Sequence, residues 1–490
     1  MKAQLFLAAA LLTSAPAATI YSNLQDIGVP TGFNGIYLDL DTGTTTTDTT
    51  PMTGWDINAF FGGVGVANSI AFQPVRTAAG NLDALLNLAQ GTLVSGSLTY
   101  SSGFGGSGDD NPHVGDAPTQ FQVGQEGYMG FKFMKNDGSG PFYGWMRVVF
   151  TNNTGGSLIR DWGYDDAGGS INIGRIQQSA ALSGNQTVTL SPGAGESFNL
   201  GSVISNTNGN INHLVKLGAG NTTLTVANTY TGSTDIQGGT LLLSGTGALP
   251  SNTSLSLINA GSALDLSGIT GTGQSVSSLS GDSGTSINLG SKTLTAGSNN
   301  NNTTFAGNLF GTDGRLIKEG SGTLTLSGDN TYTGGTNITG GTLLLGNNNV
   351  LPNTAPMTLS GGTKLATAGF SDATGQLTVS GNAVIDLGAG ASTLTFASAA
   401  SAWTGILSIW NYSGGIWDAN SADKLNFLVN NGADLTTVQF YSDNGVNPIG
   451  TGSAFYSGNS GQLVPVPEPG AVLAALLMLG LVSHRERRRR

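Results

Sequence analysis

Two segments of the sequence align without a gap at an offset of 102 residues. The first runs from Leu214-Val215-Lys216-Leu217-Gly218 through Asn228-Thr229-Tyr230-Thr231-Gly232 to Gly238-Gly239-Thr240-Leu241-Leu242-Leu243. The second runs from Leu316-Ile317-Lys318-Glu319-Gly320 through Asn330-Thr331-Tyr332-Thr333-Gly334 to Gly340-Gly341-Thr342-Leu343-Leu344-Leu345, and Leu249-Pro250 and Leu351-Pro352 continue the register. Inside each copy the apolar period is two, not 3.6. In Thr323-Leu324-Thr325-Leu326 the leucines share one face and the hydroxyls the other, which is the pattern of a half-buried strand. Thr and Val suit strands, and the Gly, Asn and Asp clusters between them suit turns. The same pattern predicts strands at 222–226, 254–258, 263–266, 376–379, 383–387 and 393–396, with no helix between about 200 and 400. Short strands with a single apolar face, joined by Gly/Asn corners, bury that face by coiling into a solenoid; a sandwich of the same strands is the competing arrangement. At roughly 20–25 residues per turn, 176–400 makes about eight to ten turns and a rod of ~40–50 Å. Asn and Thr at equivalent corners are placed to stack as hydrogen-bonded ladders.

The flanks differ in composition. Over 19–175 lie most Met and many Phe and Trp residues, and the segments 130–133, 143–150 and 158–164 alternate between Gly/Asn turns. These predict an antiparallel β-sandwich of jelly-roll or lectin type. A solenoid needs its raw ends covered, and 401–465, with Trp403, Trp410 and Trp417 and predicted strands at 406–410, 425–429, 438–441 and 454–456, reads as a β cap.

Both chain ends read as addresses. Met1-Lys2, the apolar run Leu5 to Leu12 and the small residues Ala15-Pro16-Ala17 form a secretory signal peptide over 1–18, with Ala15 and Ala17 marking cleavage. A buried N-terminal helix is the alternative. At the other end, Val464-Pro465-Val466-Pro467-Glu468-Pro469-Gly470 is a stiff non-helical spacer, 471–482 is a short apolar helix, and Arg485, Arg487, Arg488, Arg489 and Arg490 form a basic stop on the cytoplasmic side. Such a helix is ~18 Å long against ~30 Å of hydrocarbon, so it suits transient recognition better than permanent anchoring. The order Pro467-Glu468-Pro469, apolar helix, arginine cluster over 466–490 resembles the PEP-CTERM sorting signal of exported bacterial proteins. That resemblance implies processing by an exosortase-type membrane enzyme in bacteria that make exopolysaccharide. It places the chain in the cell envelope, at the cell surface or in the extracellular matrix, after a transient stage in the inner membrane. The repeat copies, over about 214–268 and 316–370, resemble the autotransporter-associated β-strand repeat of bacterial surface proteins, which implies a right-handed parallel β-helix.

Chemistry is sparse. The chain has no Cys, which excludes disulfides, thiolate metal sites and cysteine nucleophiles. Its net charge of −11 argues against nucleic acid. Gly103-Phe104-Gly105-Gly106-Ser107-Gly108 fits a dinucleotide-binding spacing, but Asp109-Asp110-Asn111-Pro112 follows where a helix is needed, so it reads as a loop. Only His113 and His213 lie between the two terminal signals, with no paired ligands and no nucleophile elbow. Asp109, Asp110 and Asp116, and separately Asp39-Leu40-Asp41-Thr42-Gly43, offer oxygens for Ca²⁺ without the bidentate Glu of an EF-hand, and plain turns are favoured. A polysaccharide lyase or glycosidase needs converging carboxylates or a base beside acidic ligands. Over 176–400 the basic residues are Lys216, Lys292, Arg315, Lys318 and Lys364, and the carboxylates are scattered singly. No catalytic or cofactor-binding residue is therefore assigned. A structural or adhesive role leads. A glycan-binding role comes second, with Tyr230 and Tyr332 exposed, or the cap tryptophans, stacking on sugar rings and Ca²⁺ as a bridging ion.

Overall fold

The computed structural model describes residues 19–466, apart from short stretches at 23–24, 49, 64, 81–82, 104, 108–113, 116, 152–154, 175, 179–185, 207–210, 401–402, 416, 419, 431–434 and 455–460. Among the described residues the chain is all β, with 3-10 turns at Phe61–Gly63 and Leu435–Thr437 and no helix long and apolar enough to cross a membrane. The signal peptide at 1–18 and the spacer, helix and arginines from Pro467 onward lie outside the described residues. Two compact units are present. One takes the described residues up to 178 together with Phe198–Ser202; the other takes 186–197 and the described residues from Val203 onward.

The second unit is a β-solenoid of about ten turns. Parallel ladders form three sides. The first side climbs from Gln186–Leu190 through Asn212–Lys216, Thr234–Ile236, Ser254–Leu257, Ser278–Gly281, Thr303–Phe305 and Thr323–Leu326. It continues through Thr342–Leu345, Lys364–Ala366, Ala383–Asp386 and Leu407–Trp410 to Val438–Tyr441. The second side stacks Asn221–Leu224, Thr240–Gly245, Ala263–Ile269, Ser286–Asn288 and Asn308–Phe310. The third stacks Gly273–Val276, Thr293–Ala296, Arg315–Lys318, Gly335–Ile338, Met357–Ser360, Asp372–Ser380, Thr393–Ala399 and Lys424–Asn430. Alternation fixes which residues face in. Leu324 and Leu326 are buried while Thr323 and Thr325 are half-buried, and Leu214, Leu255, Leu279, Leu294, Leu316 and Leu343 are likewise interior.

The two copies of the repeat occupy different sides of the solenoid. The strand Asn212–Lys216 opens the first copy on the first side, whereas its counterpart Arg315–Lys318 opens the second copy on the third side. Thr323–Leu326, the counterpart of Asn221–Leu224, sits on the first side rather than the second. The offset of 102 residues thus equals four turns and two further sides. All three sides present the same Leu-rich inner face, so a strand pair can dock against any two of them. The segment that does not form a strand, Asn228 to Tyr230 in one copy and Asn330 to Tyr332 in the other, fills whichever side remains.

At the far end the ladder changes sense. Val438–Tyr441 pairs antiparallel with Pro448–Ala454, which pairs antiparallel with Gln462–Val466, and that last strand runs antiparallel to Lys424–Asn430. The turn-back occupies strand edges that a continuing solenoid would leave open for another chain.

In the first unit, Phe72–Pro74, Glu126–Phe133, Phe142–Val149, Leu158–Asp165 and Thr19–Tyr21 form one antiparallel sheet. Gly105–Ser107, Gly65–Asn68, Ile57–Phe60, Ile36–Leu38 and Thr45–Thr46 form another. A single core draws Leu38, Ile57 and Val66 from the second sheet and Phe131, Met146 and Ile159 from the first. One charged network is sealed into the first sheet. Arg147 grips Asp161 through Nε (3.0 Å) and Nη2 (2.6 Å), and the Tyr21 hydroxyl donates to the same carboxylate at 2.6 Å. Asp161 is 0% exposed, so this bidentate pair ties neighbouring strands with no water to screen it.

Candidate functional site

Of the residues that recur identically in the two copies, the lysine, the asparagine and the tyrosine turn inward, while the threonines at 229/331 and 231/333 stay exposed. The Lys216 ammonium donates to the carbonyls of Leu217 (2.7 Å), Gly218 (2.9 Å) and Gly238 (2.9 Å). Lys318 repeats this on Glu319 (2.7 Å), Gly320 (2.9 Å) and Gly340 (3.1 Å). Both lysines are buried, and each clamps its own corner to the corner one turn further on. Burial pushes Lys216 down to about 8 and lowers Lys318 as well, against the pull of the Glu319 carboxylate on the latter. Asn228 donates to the carbonyls of Val226 and Ala248 and accepts from the amide of Ile204; Asn330 does the same with Gly328, Val350 and Leu309. The expected asparagine ladder is therefore a set of side chain-to-backbone rungs.

Tyr230 and Tyr332 correct an expectation. Each is 0% exposed, with its hydroxyl 2.5 Å from Thr234 and Thr336 respectively, and burial raises both phenols. Neither ring can stack on a sugar. The Asn-Thr-Tyr segment looks like a turn in sequence, but its ring fills the corner left where no strand forms. The Gly-Gly pair has a similar structural cause. Gly239 and Gly341 sit at φ +60 and +61, and a Cβ there would lie 2.2 Å from the Gly220 carbonyl and 2.4 Å from the Gly322 carbonyl on the turn before.

Of the sites considered from sequence, Asp109, Asp110, Asp116 and His113 lie outside the described residues, as do Ala15, Ala17, Pro467, Glu468, Pro469, Arg485, Arg487, Arg488, Arg489 and Arg490. The Asp39–Gly43 turn is described, and its carboxylate oxygens are committed except Asp41 Oδ1, which is buried without a hydrogen-bond partner. Asp39 accepts from the amides of Asp41 and Thr42 and from Asn136 Nδ2, and Asp41 accepts from the Asn136 amide. Asp56, pushed up to about 7 by burial, accepts from the Leu40 amide. Among the described residues no group of three or more His, Asp or Glu is placed to hold a metal ion. His213 Nδ1 accepts from the Ser233 amide at 3.0 Å and lies 2.9 Å from its hydroxyl, which is 3.4 Å from Asp235. The serine stands between imidazole and carboxylate, whereas a hydrolytic triad needs the imidazole in the middle.

The cap tryptophans separate. Trp403 Nε1 donates to the Leu377 carbonyl at 3.3 Å, and its ring meets Phe427 edge-on. Trp410 lies under the Lys364 ammonium, 4.7 Å from the ring centroid, while Lys364 pairs with Asp386 at 3.1 Å. Trp417 is 56% exposed. One feature escaped sequence reasoning. Lys292 and Arg315 line a groove of about 520 Å³ on the third side, together with Asp313, Ile317, Asn337 and several hydroxyls. Their spacing of one solenoid turn was the available signal, but it has meaning only once the turn length is known.

Both repeat copies match the passenger-associated-transport-repeat family, at residues 214–243 and 316–345. Over 126 residues the chain is 40% identical to the adhesin BmaC autotransporter of Brucella suis biovar 1 (strain 1330), a stretch that covers 25% of this chain and 4% of the adhesin. The chain thus spans a small fraction of that relative's length. No solved structure matches.

Proposed function

We propose that this chain is an exported, non-enzymatic surface or matrix protein with a structural or adhesive role, acting through an elongated β-solenoid. The observation that carries the reading is the inward placement of the shared lysine, asparagine and tyrosine side chains of the two copies: Lys216 and Lys318, Asn228 and Asn330, Tyr230 and Tyr332. The repeat spends its largest identical polar side chains on stacking turns, as a scaffold must. The match to a repeat of transported passenger regions, and the likeness over a quarter of the chain to a protein named as an adhesin, support the same reading. In this proposal the solenoid is right-handed, the first unit is an antiparallel sandwich of lectin or jelly-roll type, and 401–465 caps the rod. The Pro467-Glu468-Pro469 tail is read by an exosortase-type enzyme during a transient inner-membrane stage, and the mature protein associates with exopolysaccharide.

Two experiments test the reading. Protease added to intact cells is expected to cleave the solenoid; complete protection alongside a cytosolic marker refutes surface placement. Replacing Pro467, Glu468 and Pro469 with alanine is expected to hold the precursor in the inner membrane, and unchanged surface delivery refutes the sorting step.

A further inference from the structure

We infer that the third side of the solenoid carries a subsite for an acidic sugar unit of a polysaccharide, centred on Lys292 and Arg315. The inference rests on the surface reading for its biological setting and adds the ligand class and the residues.

Elimination leads to the place. Lys216 and Lys318 are buried on backbone carbonyls, and Lys364 is paired with Asp386. Lys292 and Arg315 make no ion pair among the described residues, and Arg315 is exposed. They lie one turn apart. The Arg315 amide donates to the Lys292 carbonyl at 3.0 Å, so their side chains leave adjacent rungs of the stack. Two otherwise scattered charges thereby meet in one groove of about 520 Å³ on a chain of net charge −11.

Arg315 leaves its strand beside a glycine. In the third-side register Thr293 pairs with Arg315 and Arg315 with Gly335, so the rung beyond Arg315 carries no side chain. Gly335, at φ +110, is itself buried against Pro356, whose carbonyl would lie 2.7 Å from a Cβ there. The next outward pair, Ile317 and Asn337, supplies an apolar surface beside an amide. A guanidinium fork and an ammonium match a carboxylate or sulfate, the fork in bidentate fashion. Ile317 suits the apolar face of a sugar ring, and Asn337 and Thr272 suit its hydroxyls. Asp313, the one carboxylate lining the groove, accepts from a sugar hydroxyl and repels a second acid group. The subsite thus favours a polymer whose acid groups are spaced along the chain over one carrying them densely.

Calorimetry of the full chain tests this with oligogalacturonate, a sulfated galactan oligomer and an uncharged galactan oligomer of equal length. Binding of at least one acidic oligomer, weakening as NaCl rises, is expected, and the two acidic arms report which acid group is preferred. Lys292→Ala with Arg315→Ala is expected to weaken binding at least about tenfold, Arg315→Lys to weaken it less, and Asp313→Asn to leave it intact or tighten it. Unchanged thermal melting of these surface variants excludes misfolding. Equal affinity for the uncharged oligomer, no binding of either acidic one, or wild-type affinity in the double variant overturns the inference. Wild-type chain that is protease-accessible on cells yet binds no acidic oligomer overturns the subsite alone; chain that is inaccessible on cells overturns the surface reading, whatever the calorimetry gives.

Discussion

Lys216→Met separates the two opposing effects of a buried ammonium. Methionine keeps the length and apolar stem of lysine but donates nothing, so the carbonyls of Leu217, Gly218 and Gly238 lose a donor. Hydrogen bonds from a charged donor contribute about 1.5–3 kcal/mol each. Against this, burying the charge is unfavourable: lowering Lys216 from 10.5 to about 8 corresponds to about 3 kcal/mol that the variant recovers. The net expectation at pH 7 is a loss of about 3 kcal/mol. A solenoid unfolds in segments, so the loss is best read by native-state hydrogen exchange at Thr240–Gly245, the strand following the clamped corner, beside chemical denaturation of the whole chain. The pH dependence is the sharper test. Between about pH 8 and 10.5 the unfolded chain binds the lysine proton and the folded chain does not, so wild-type stability rises with pH across that window. The variant lacks the group, and its deficit is expected to widen over the same range. A variant as stable as wild type at pH 7, or a deficit that stays flat from pH 8 to 10.5, refutes the clamp.

Three further changes test the fold elsewhere. Asp161→Asn removes the buried carboxylate paired with the Arg147 guanidinium and leaves Glu126, 3.4 Å away and half-exposed, as a weaker ion-pair partner, so a loss of about 3–5 kcal/mol is expected by denaturation followed through Trp145 and Trp162; a loss under about 1 kcal/mol refutes the pair's role. Gly341→Ala forces both a left-handed backbone and a contact 2.4 Å from the Gly322 carbonyl, whereas Gly362→Ala, at φ +79 with open space, meets only the backbone penalty of about 1 kcal/mol. Equal melting shifts for the two alanine variants remove the stacking argument. Deleting residues 216–317 joins the copies in register and removes four turns and two sides, about 22 Å of rod at ~4.8 Å per turn. A folded, shorter solenoid is expected by circular dichroism and small-angle scattering, and an aggregated or unfolded product refutes the equivalence of the three sides.

That equivalence also explains what the sequence did and did not reveal. Alternation in Thr323–Leu326 and its neighbours marks strands and their inner faces, because a two-residue period is a local property. Observed strands such as Asn221–Leu224 and Ala383–Asp386 fall within a residue or two of the predicted spans at 222–226 and 383–387. Which side a strand joins is not local. It follows from the summed lengths of all preceding turns, and these vary: Leu214 meets Thr234 after 20 residues, while Leu255 meets Leu279 after 24. An insertion of a few residues at one corner therefore moves every later strand along the perimeter without altering a single inward leucine. The same reason hid the meeting of Lys292 with Arg315, and it hid the burial of Tyr230, whose ring occupies a side only because no strand does. Lys216 was illegible for a different reason. A lysine at the inward position of an alternating strand normally argues against burial, and two carbonyls of its own corner with a third from the corner of the next coil make it tolerable. In a stacked fold, the chemistry of a residue is set by the rung above and the rung below, so sequence resolves the rungs long before it resolves what they bring together.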